Sequence, residues 1–263
     1  MTDAAVFREF EHDGWEKLPQ RYHQAFAGLT SQAVEPMLDA VGAQRGTKLL
    51  DVASGPGYVA AAATARGAEV TGLDFAAAMV AEASRRYPAV KFQEGDAEDL
   101  PFPDASLDAV TMNFGLLHLG RPERALAEAC RVLRRGGKFA FTVWAKPEEA
   151  RGFAIVLGAI QKHGNRNVPL PSGPPFFRFS DPEESRRALL HAGFQSPAVK
   201  TVQQMWRFKS PQELWDFMLG STVRTGALLR AQTPQALAAI RSDVIAAAKN
   251  EVPMPAVLAS AIK

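Results

Sequence analysis

Two acidic residues and two glycines in the first half of the chain have the types and spacing to do chemistry together. Gly55-Pro-Gly57-Tyr-Val-Ala60 has the G-x-G-x-x-A form. It follows a short apolar run, Thr47 to Ala53, that reads as a buried strand, and it precedes an alanine-rich run, Tyr58 to Arg66, that reads as a helix. Such a loop lets a ligand approach the backbone, with the first helical amides pointing at it. Asp74 ends the next strand-like run, Glu69 to Asp74, where a carboxylate can accept hydrogen bonds from ribose hydroxyls. Asp51 lies just before the loop, inside the end of the first strand. A buried anion there disfavours a neighbouring pyrophosphate, because like charges at close range are costly. It suits a ligand that carries an ammonium or a sulfonium, as S-adenosylmethionine (SAM) does. Either acid alone could merely cap a turn or a helix. In order, on successive strand ends, they point to a cationic nucleoside.

Longer stretches carry a resemblance. Leu49-Leu-Asp51-Val-Ala-Ser-Gly55-Pro-Gly57, Gly95-Asp96-Ala97-Glu-Asp-Leu-Pro101-Phe102, Leu107-Asp108-Ala-Val-Thr-Met-Asn113 and Arg131-Val-Leu-Arg-Arg-Gly136-Gly137-Lys-Phe together resemble the motifs of class I SAM-dependent methyltransferases. The flavour is that of the small-molecule enzymes of ubiquinone and menaquinone biosynthesis. The resemblance spans residues 47–144, and beyond them it is architectural. It implies that Asp51, Ala53, Gly55 and Gly57 hold the methionine end of SAM and that Asp74 takes the ribose. It also implies that Phe75 and Met79 flank the adenine and that Asp96 bonds the adenine amino group. The Ala97 amide would meet a ring nitrogen, and Asn113 would lie near the methionine portion. The Asp/Asn-Pro-Pro-Tyr/Phe motif of DNA amino-methyltransferases is missing, since Asn113 is followed by Phe114-Gly115. Asn113 also stands where metal-dependent catechol-type enzymes place an acid, so no metal is expected.

Methyl transfer from a sulfonium needs chiefly an aligned nucleophile and a dry site. A base is required only if the acceptor must first lose a proton. His118, in Phe114-Gly-Leu-Leu-His118, is the candidate, although it could equally hold its loop. Trp15 and Tyr22 could close over the donor or touch the sulfonium, and equally could form the apolar seam of their helices. Trp144, just past a strand end, is a candidate for the substrate wall. Phe114, Phe153, Phe176, Phe177, Trp206 and Trp215 read mainly as core. Cys130, spaced with Leu126 and Leu133, reads as a small buried hydrophobe.

Strands alternating with helices imply an α/β fold, a parallel sheet with helices on both faces. The resemblance makes it Rossmann-like and seven-stranded, with an antiparallel last strand and a helical lid. Residues 1–46 show helical spacing and are expected to form an N-terminal lid over a core of 47–263, with further lid segments near 147–180 and 210–250. Expected strands include Lys138 to Trp144, Ala198 to Lys209 and Ala256 to Ile262. Gly136-Gly137 is expected to close the helix opened by Pro122. Ser180-Asp-Pro-Glu183 and Ser210-Pro-Gln-Glu213 match the capping box.

Of 263 residues, 47% are apolar, enough for a sizeable core. The net charge of +2 is made of interspersed charges, without the basic block that would argue for nucleic acid. The single cysteine fits a reducing compartment. With no signal peptide and no apolar run of membrane-span length, the expectation is a cytoplasmic protein whose partner is a small molecule. Three rivals remain. One is a SAM-binding fold doing non-methyl chemistry, and another is a binding or scaffold protein that keeps the fold without turnover. The third is an NAD(P)-dependent oxidoreductase, for which Tyr87-Pro-Ala-Val-Lys91 has the Tyr-x-x-x-Lys spacing. Pro88 would break the helix that this pair must share.

Overall fold

The computed structural model describes residues 3–263, so the first two residues of the expected N-terminal lid lie outside it. Three helices come first, α1 (Asp3–Glu16), α2 (Pro19–Thr30) and α3 (Val34–Val41). Strands and helices then alternate: β1 (Lys48–Val52), α4 (Tyr58–Ala65), β2 (Glu69–Asp74), α5 (Ala77–Arg86), β3 (Lys91–Glu94), β4 (Leu107–Asn113), α6 (Pro122–Val132) and β5 (Leu133–Trp144). The second half holds α7 (Arg151–His163), α8 (Pro182–His191), β6 (Gln195–Val202), β7 (Met205–Arg207), α9 (Pro211–Gly220), α10 (Arg224–Arg230), α11 (Pro234–Ala247), β8 (Glu251–Pro253) and β9 (Ala256–Ile262).

Seven strands form one sheet in the order β3-β2-β1-β4-β5-β9-β6. β1 pairs in parallel with β2 and β4, whereas β9 runs antiparallel between β5 and β6. The expected seven-stranded, mostly parallel sheet with an antiparallel last strand is therefore the one formed. Order reverses between β1 and β4, and an open sheet presents its ligand crevice at such a point, outside the carboxyl ends of the strands.

Alternation of side chains assigns the two faces. Leu49, Ala109, Ala140 and Leu258 pack with Val34, Met37, Leu38 and Val41 of α3 and with Val59 and Ala63 of α4. Leu50, Val52, Val110, Met112, Phe139 and Phe141 pack on the other side with Leu126, Ala129 and Cys130 of α6 and Leu189 of α8. Helix α3, placed by sequence within the lid, thus lies against the sheet. Its four buried apolar residues, at spacings of three and four, need a sheet face to cover them.

Three local expectations are corrected. Helix α6 stops at Val132, before Gly136-Gly137, because Leu133 already pairs with Leu107 in the sheet. The run from Ala198 to Lys209 is two strands. β7 leaves the sheet to pair with β8, and Gln32 holds its outer edge, donating to the Met205 carbonyl and accepting from the Met205 amide, each at 3.0 Å. Trp206 Nε1 donates to the Ala25 carbonyl at 3.0 Å, tying the same ribbon to α2. The cap of α8 is Asp181, which accepts from the Glu183 and Glu184 amides, while Ser180 Oγ donates to the Trp144 carbonyl at 2.6 Å. At α9 the box is half made. Ser210 is the cap residue without a side-chain bond, and Glu213 accepts from the Lys209 amide.

Candidate functional site

The crevice is built at the carboxyl ends of β1, β2 and β4. After β1 the chain turns sharply through Ala53 (φ +52°), Gly55 (φ +50°) and Gly57 (φ +87°) into α4. After β4 it turns again at Phe114 (φ +56°) into a single 3-10 turn, Leu116–His118. Ala53 and Phe114 are both non-glycine residues in the left-handed region, a conformation that costs of order 1–3 kcal/mol and clusters at ligand sites. Gly57 does not line the crevice. A Cβ there would meet the Phe92 ring at 2.6 Å, so glycine is required for packing behind the loop. Gly55 is the opposite case. A Cβ there would meet nothing within 4 Å and would project into open space, the cradle that a bound molecule fills.

Two connected spaces open from this loop. The larger has about 1090 Å³ of empty volume including its mouth. Ala53, Gly55, Asp74, Phe75, Met79, Asp96, Ala97 and Asn113 line its floor, so most residues expected to hold a donor stand together there. Trp15, Tyr22, His118 and Trp144 line it too, as do Phe26, Phe114, Phe153 and Phe176. The smaller runs beneath the glycine loop, between Asp51, Ser54, Thr30 and Tyr58, and shares Tyr22, Ala53, Gly55 and Asn113 with the larger. Asp51 lines only this narrower space. Trp206 and Trp215 lie in the core, as the sequence suggested, and Phe177 packs against it without lining either space.

Both buried aspartates are costly to ionise. Asp51 accepts from Thr111 Oγ1 at 2.9 Å and from the Ala60 amide at 3.2 Å, yet burial pushes its carboxyl up to about 7. Asp74 accepts from the Gly55 amide at 2.8 Å and the Ala76 amide at 3.0 Å, and burial raises it to about 6. These bonds fix the loop to the end of β2. Burial also raises the Tyr22 phenol to about 12, so it stays neutral and can donate. Asn113 donates from Nδ2 to the Thr30 carbonyl at 3.3 Å and accepts from Thr142 Oγ1 at 2.6 Å, a link between α2 and the sheet. Asp96 is already engaged: Oδ2 pairs with Arg8 of α1 at 2.9 Å and Oδ1 accepts from the Glu98 amide.

A match to a methyltransferase-domain family model covers residues 50–141, which contain the glycine loop, Asp51, Asp74, Asp96 and Asn113. That span carries a methyltransferase domain of the class I, SAM-dependent kind. SAM is the cofactor of this domain, and the phosphate-averse crevice with its glycine cradle fits it. Demethylmenaquinone methyltransferase of Renibacterium salmoninarum is 43% identical over 120 residues, 46% of this chain and 51% of that protein. The ubiquinone/menaquinone biosynthesis C-methyltransferase of Methylobacterium nodulans is 42% identical over 125 residues, 44% of this chain and 48% of that one. The chain thus spans about half the length of the curated relatives it matches. Among solved structures, the YcgJ protein of Bacillus subtilis aligns with a TM-score of 0.60 at 20% identity, covering 88% of this chain and 97% of that one. The [4+2]-cyclase SpnF aligns with a TM-score of 0.59 at 22% identity, covering 89% and 81%. These two likenesses show the fold alone.

Several groups at the cavity wall or buried behind it were not singled out from sequence. Glu11, wholly buried on α1, lies with Oε2 3.0 Å from His118 Nδ1. Arg224, at the start of α10, lies over the rings of Phe7 (5.1 Å) and Phe176 (5.3 Å), and burial lowers its pKa. A glutamate on an amphipathic helix reads as solvated surface. The signal against that reading is spacing: Phe7, Glu11 and Trp15 recur every four residues and share one face. Phe114 stacks on Trp144 with ring centroids 4.0 Å apart, and only the backbone turn at Phe114 reveals why. Among the described residues, no three His, Cys, Asp or Glu side chains gather as a metal group, and no helix is long and apolar enough to cross a membrane.

Proposed function

We propose that the protein transfers the methyl group of SAM to an O, N or C nucleophile on a small, aromatic or largely apolar metabolite in the cytoplasm. The single observation that carries this is one continuous cavity with two unlike ends. One end has carboxylates and a glycine cradle: Asp74, Asp96 and Gly55. The other is a wall of rings: Trp15, Tyr22, Phe26, Phe114, Trp144, Phe153 and Phe176. A site for a small molecule is expected to be mostly apolar with a few placed polar groups.

When bound, SAM supplies a methyl already activated by its positive sulfur. The chain's own residues do the rest. Asp74 accepts from the ribose hydroxyls, and Phe75 and Met79 flank the base. Asp96 and the Ala97 amide read the base's edge, with Arg8 holding the Asp96 carboxylate in place. Asp51, beneath the glycine loop, offsets the charge of the ammonium group, and Ala53, Gly55 and Asn113 shape that end. Gly57 acts from behind by allowing the turn. The rings exclude water and fix the acceptor in line, which supplies much of the rate. The residues matched by the family model, 50–141, contribute the donor end, whereas Trp15, Tyr22, Phe153 and Phe176 fall outside that span. Acceptor choice is therefore a property of this chain's cover. Relatives named as demethylmenaquinone methyltransferases make a reduced naphthoquinone the first acceptor to try.

The test is transfer of label from methyl-labelled SAM to reduced demethylmenaquinone and, in parallel, to a small-metabolite extract. Label in either acceptor supports the reading. Tight SAM binding without label transfer to any acceptor rejects it. A second reading has a specific basis, since a [4+2]-cyclase shares the fold. Consumption of an extract component while the label stays on the donor would favour non-methyl chemistry. Binding of NADH in preference to SAM would overturn both.

A further inference from the structure

The Glu11–His118 contact has a chemistry of its own. Glu11 is 0% exposed, and its Oε1 is buried with no hydrogen-bond partner. The nearest cation is Arg224, whose Nε lies 4.0 Å away. A buried carboxylate with one oxygen unsatisfied is costly, so a glutamate among rings implies a task for the charge. Its other oxygen faces His118 Nδ1 at 3.0 Å. An ionised Glu11 can only accept, an arrangement that would put the ring proton on Nδ1 and leave the lone pair on Nε2. Nε2 has no hydrogen-bond partner among the described residues, and His118 lines the large cavity. Trp15 and Phe176 meet the imidazole edge to face at 4.9 and 6.0 Å and fix its plane. A base oriented by a buried carboxylate is the arrangement that activates a hydroxyl.

We propose that Glu11 is a positioning residue that holds His118 with Nε2 as a proton acceptor, and that the acceptor substrate carries an ionisable hydroxyl, a phenol or an enol. The inference rests on the methyl-transfer reading above. A neutral amine attacks with its own lone pair and loses its proton afterwards, so it has no need of this pair. A hydroxyl acceptor does. Its O–H proton passes to Nε2, the bonding electrons stay on the acceptor, and the Glu11 carboxylate offsets the imidazolium charge. The acceptor's oxygen, or a carbon conjugated to it, takes the methyl as the methyl–sulfur bond breaks with its electron pair left on sulfur. If carbon is methylated, that carbon then loses its hydrogen as a proton and the oxygen regains one. The proton on Nε2 leaves to solvent, so one proton is released per turnover. Arg224, over Phe176, stands where it can offset the negative charge that develops on the acceptor.

The other charged groups around this cavity are Asp74, the Arg8–Asp96 pair at 2.9 Å, and Glu98, paired with Arg121 at 2.7 Å. The test titrates His118 by NMR in the full chain saturated with S-adenosylhomocysteine, with signals assigned through His118→Asn. The expected result is a neutral ring protonated on Nδ1, and a His118 pKa lowered by about one unit or more in Glu11→Gln. A neutral ring protonated on Nε2, or a pKa unmoved by Glu11→Gln, overturns the proposal. In turnover with reduced demethylmenaquinone and labelled SAM, His118→Asn is expected to lose about 10²–10⁴ in kcat. Glu11→Gln should lose about tenfold or more, with its pH profile moved down alongside the His118 titration and the KM for SAM little changed. Glu11→Asp should recover part of the loss. If Glu11→Gln transfers label at the full rate with an unmoved profile, the pair falls while the methyl-transfer reading stands. If label reaches no acceptor with the wild type, that reading falls instead, and the NMR titration still decides whether Glu11 sets the ring's tautomer and pKa.

Discussion

Asp51 and Asp74 hold the largest consequences at the residue scale. Their carboxyls are raised by burial to about 7 and about 6. A raised folded-state value means that each contributes stability fully below the unfolded value, about 3.9. That contribution is lost as pH rises through 6 to 7. The ligand-free protein is therefore expected to lose stability between about pH 4 and pH 7 through these two groups, read as a falling denaturant midpoint. A cationic ligand beside Asp51 favours its ionised form, so SAM binding near pH 6 should release protons. Calorimetry in two buffers of different ionisation enthalpy reads this directly, and a heat independent of buffer would contradict it. Asp51→Asn should keep or raise ligand-free stability at pH 8 while weakening SAM. Asp74→Ala should weaken S-adenosylhomocysteine about tenfold or more, the loss of one or two hydrogen bonds to a charged group. Unchanged affinity would remove Asp74 from the ribose.

At the scale of elements, turns and caps position the site. Gly57 is held at φ +87° with Phe92 and Tyr87 against the place a Cβ would occupy. Gly57→Ala should therefore cost both stability and donor affinity, although the residue touches neither space. A variant with normal affinity and midpoint would show that the turn relaxes freely. The α8 cap offers a cleaner comparison. Asp181 accepts from two first-turn amides, so Asp181→Ala should cost about 1 kcal/mol in denaturant unfolding. Ser180→Ala leaves the cap intact and should instead disturb the Trp144 carbonyl to which Ser180 donates. Equal effects on helix stability from both would mean that the cap has been misassigned. The β7–β8 ribbon shows tertiary structure overriding propensity. Residues 198–209 are strand-like throughout, and the Gln32 and Trp206 bonds to α2 decide where the strand breaks.

On the proposed methyl-transfer reading, the whole molecule divides into a sheet that would carry the donor end and a cover that would carry the acceptor end. Arg8 and Trp15 of α1, Tyr22 and Phe26 of α2, Phe153 of α7, Phe176 and the segment 221–225 leading into α10 all close over one cavity. Glu16 of α1 reaches the Ala78 amide of α5 at 3.2 Å, and Arg8 reaches Asp96, so α1 is held to the donor side by polar contacts and not by a large apolar face. Contacts of that kind open more readily than a packed core. Saturation with S-adenosylhomocysteine should therefore slow hydrogen exchange in α1 and α2 far more than in β4 and β5, as measured by mass spectrometry. Equal protection across the chain would argue that the cover is as fixed as the sheet.

The sequence by itself determined the sheet and the donor end. Those features are local, since a strand, its turn and the acid at its end lie within a few residues of one another, and hydrophobic period and turn chemistry are read at that range. Asp51, Gly55, Asp74 and Asn113 were legible as crevice residues for that reason, whereas Gly57, expected among them, lies behind the loop. Trp15, Tyr22, His118 and Trp144 could be named singly, but tertiary structure decided what they meet at the other end, because its members come from segments far apart in the chain. Glu11 meets His118 across 107 residues, and Arg224 meets both walls from another 106 further on. Spacing within a segment cannot state which charged residue on a helix will be buried. That depends on which surface the helix is pressed against, and it was settled when α1 packed with Trp15 lining the cavity and with Phe7 and Glu11 wholly buried.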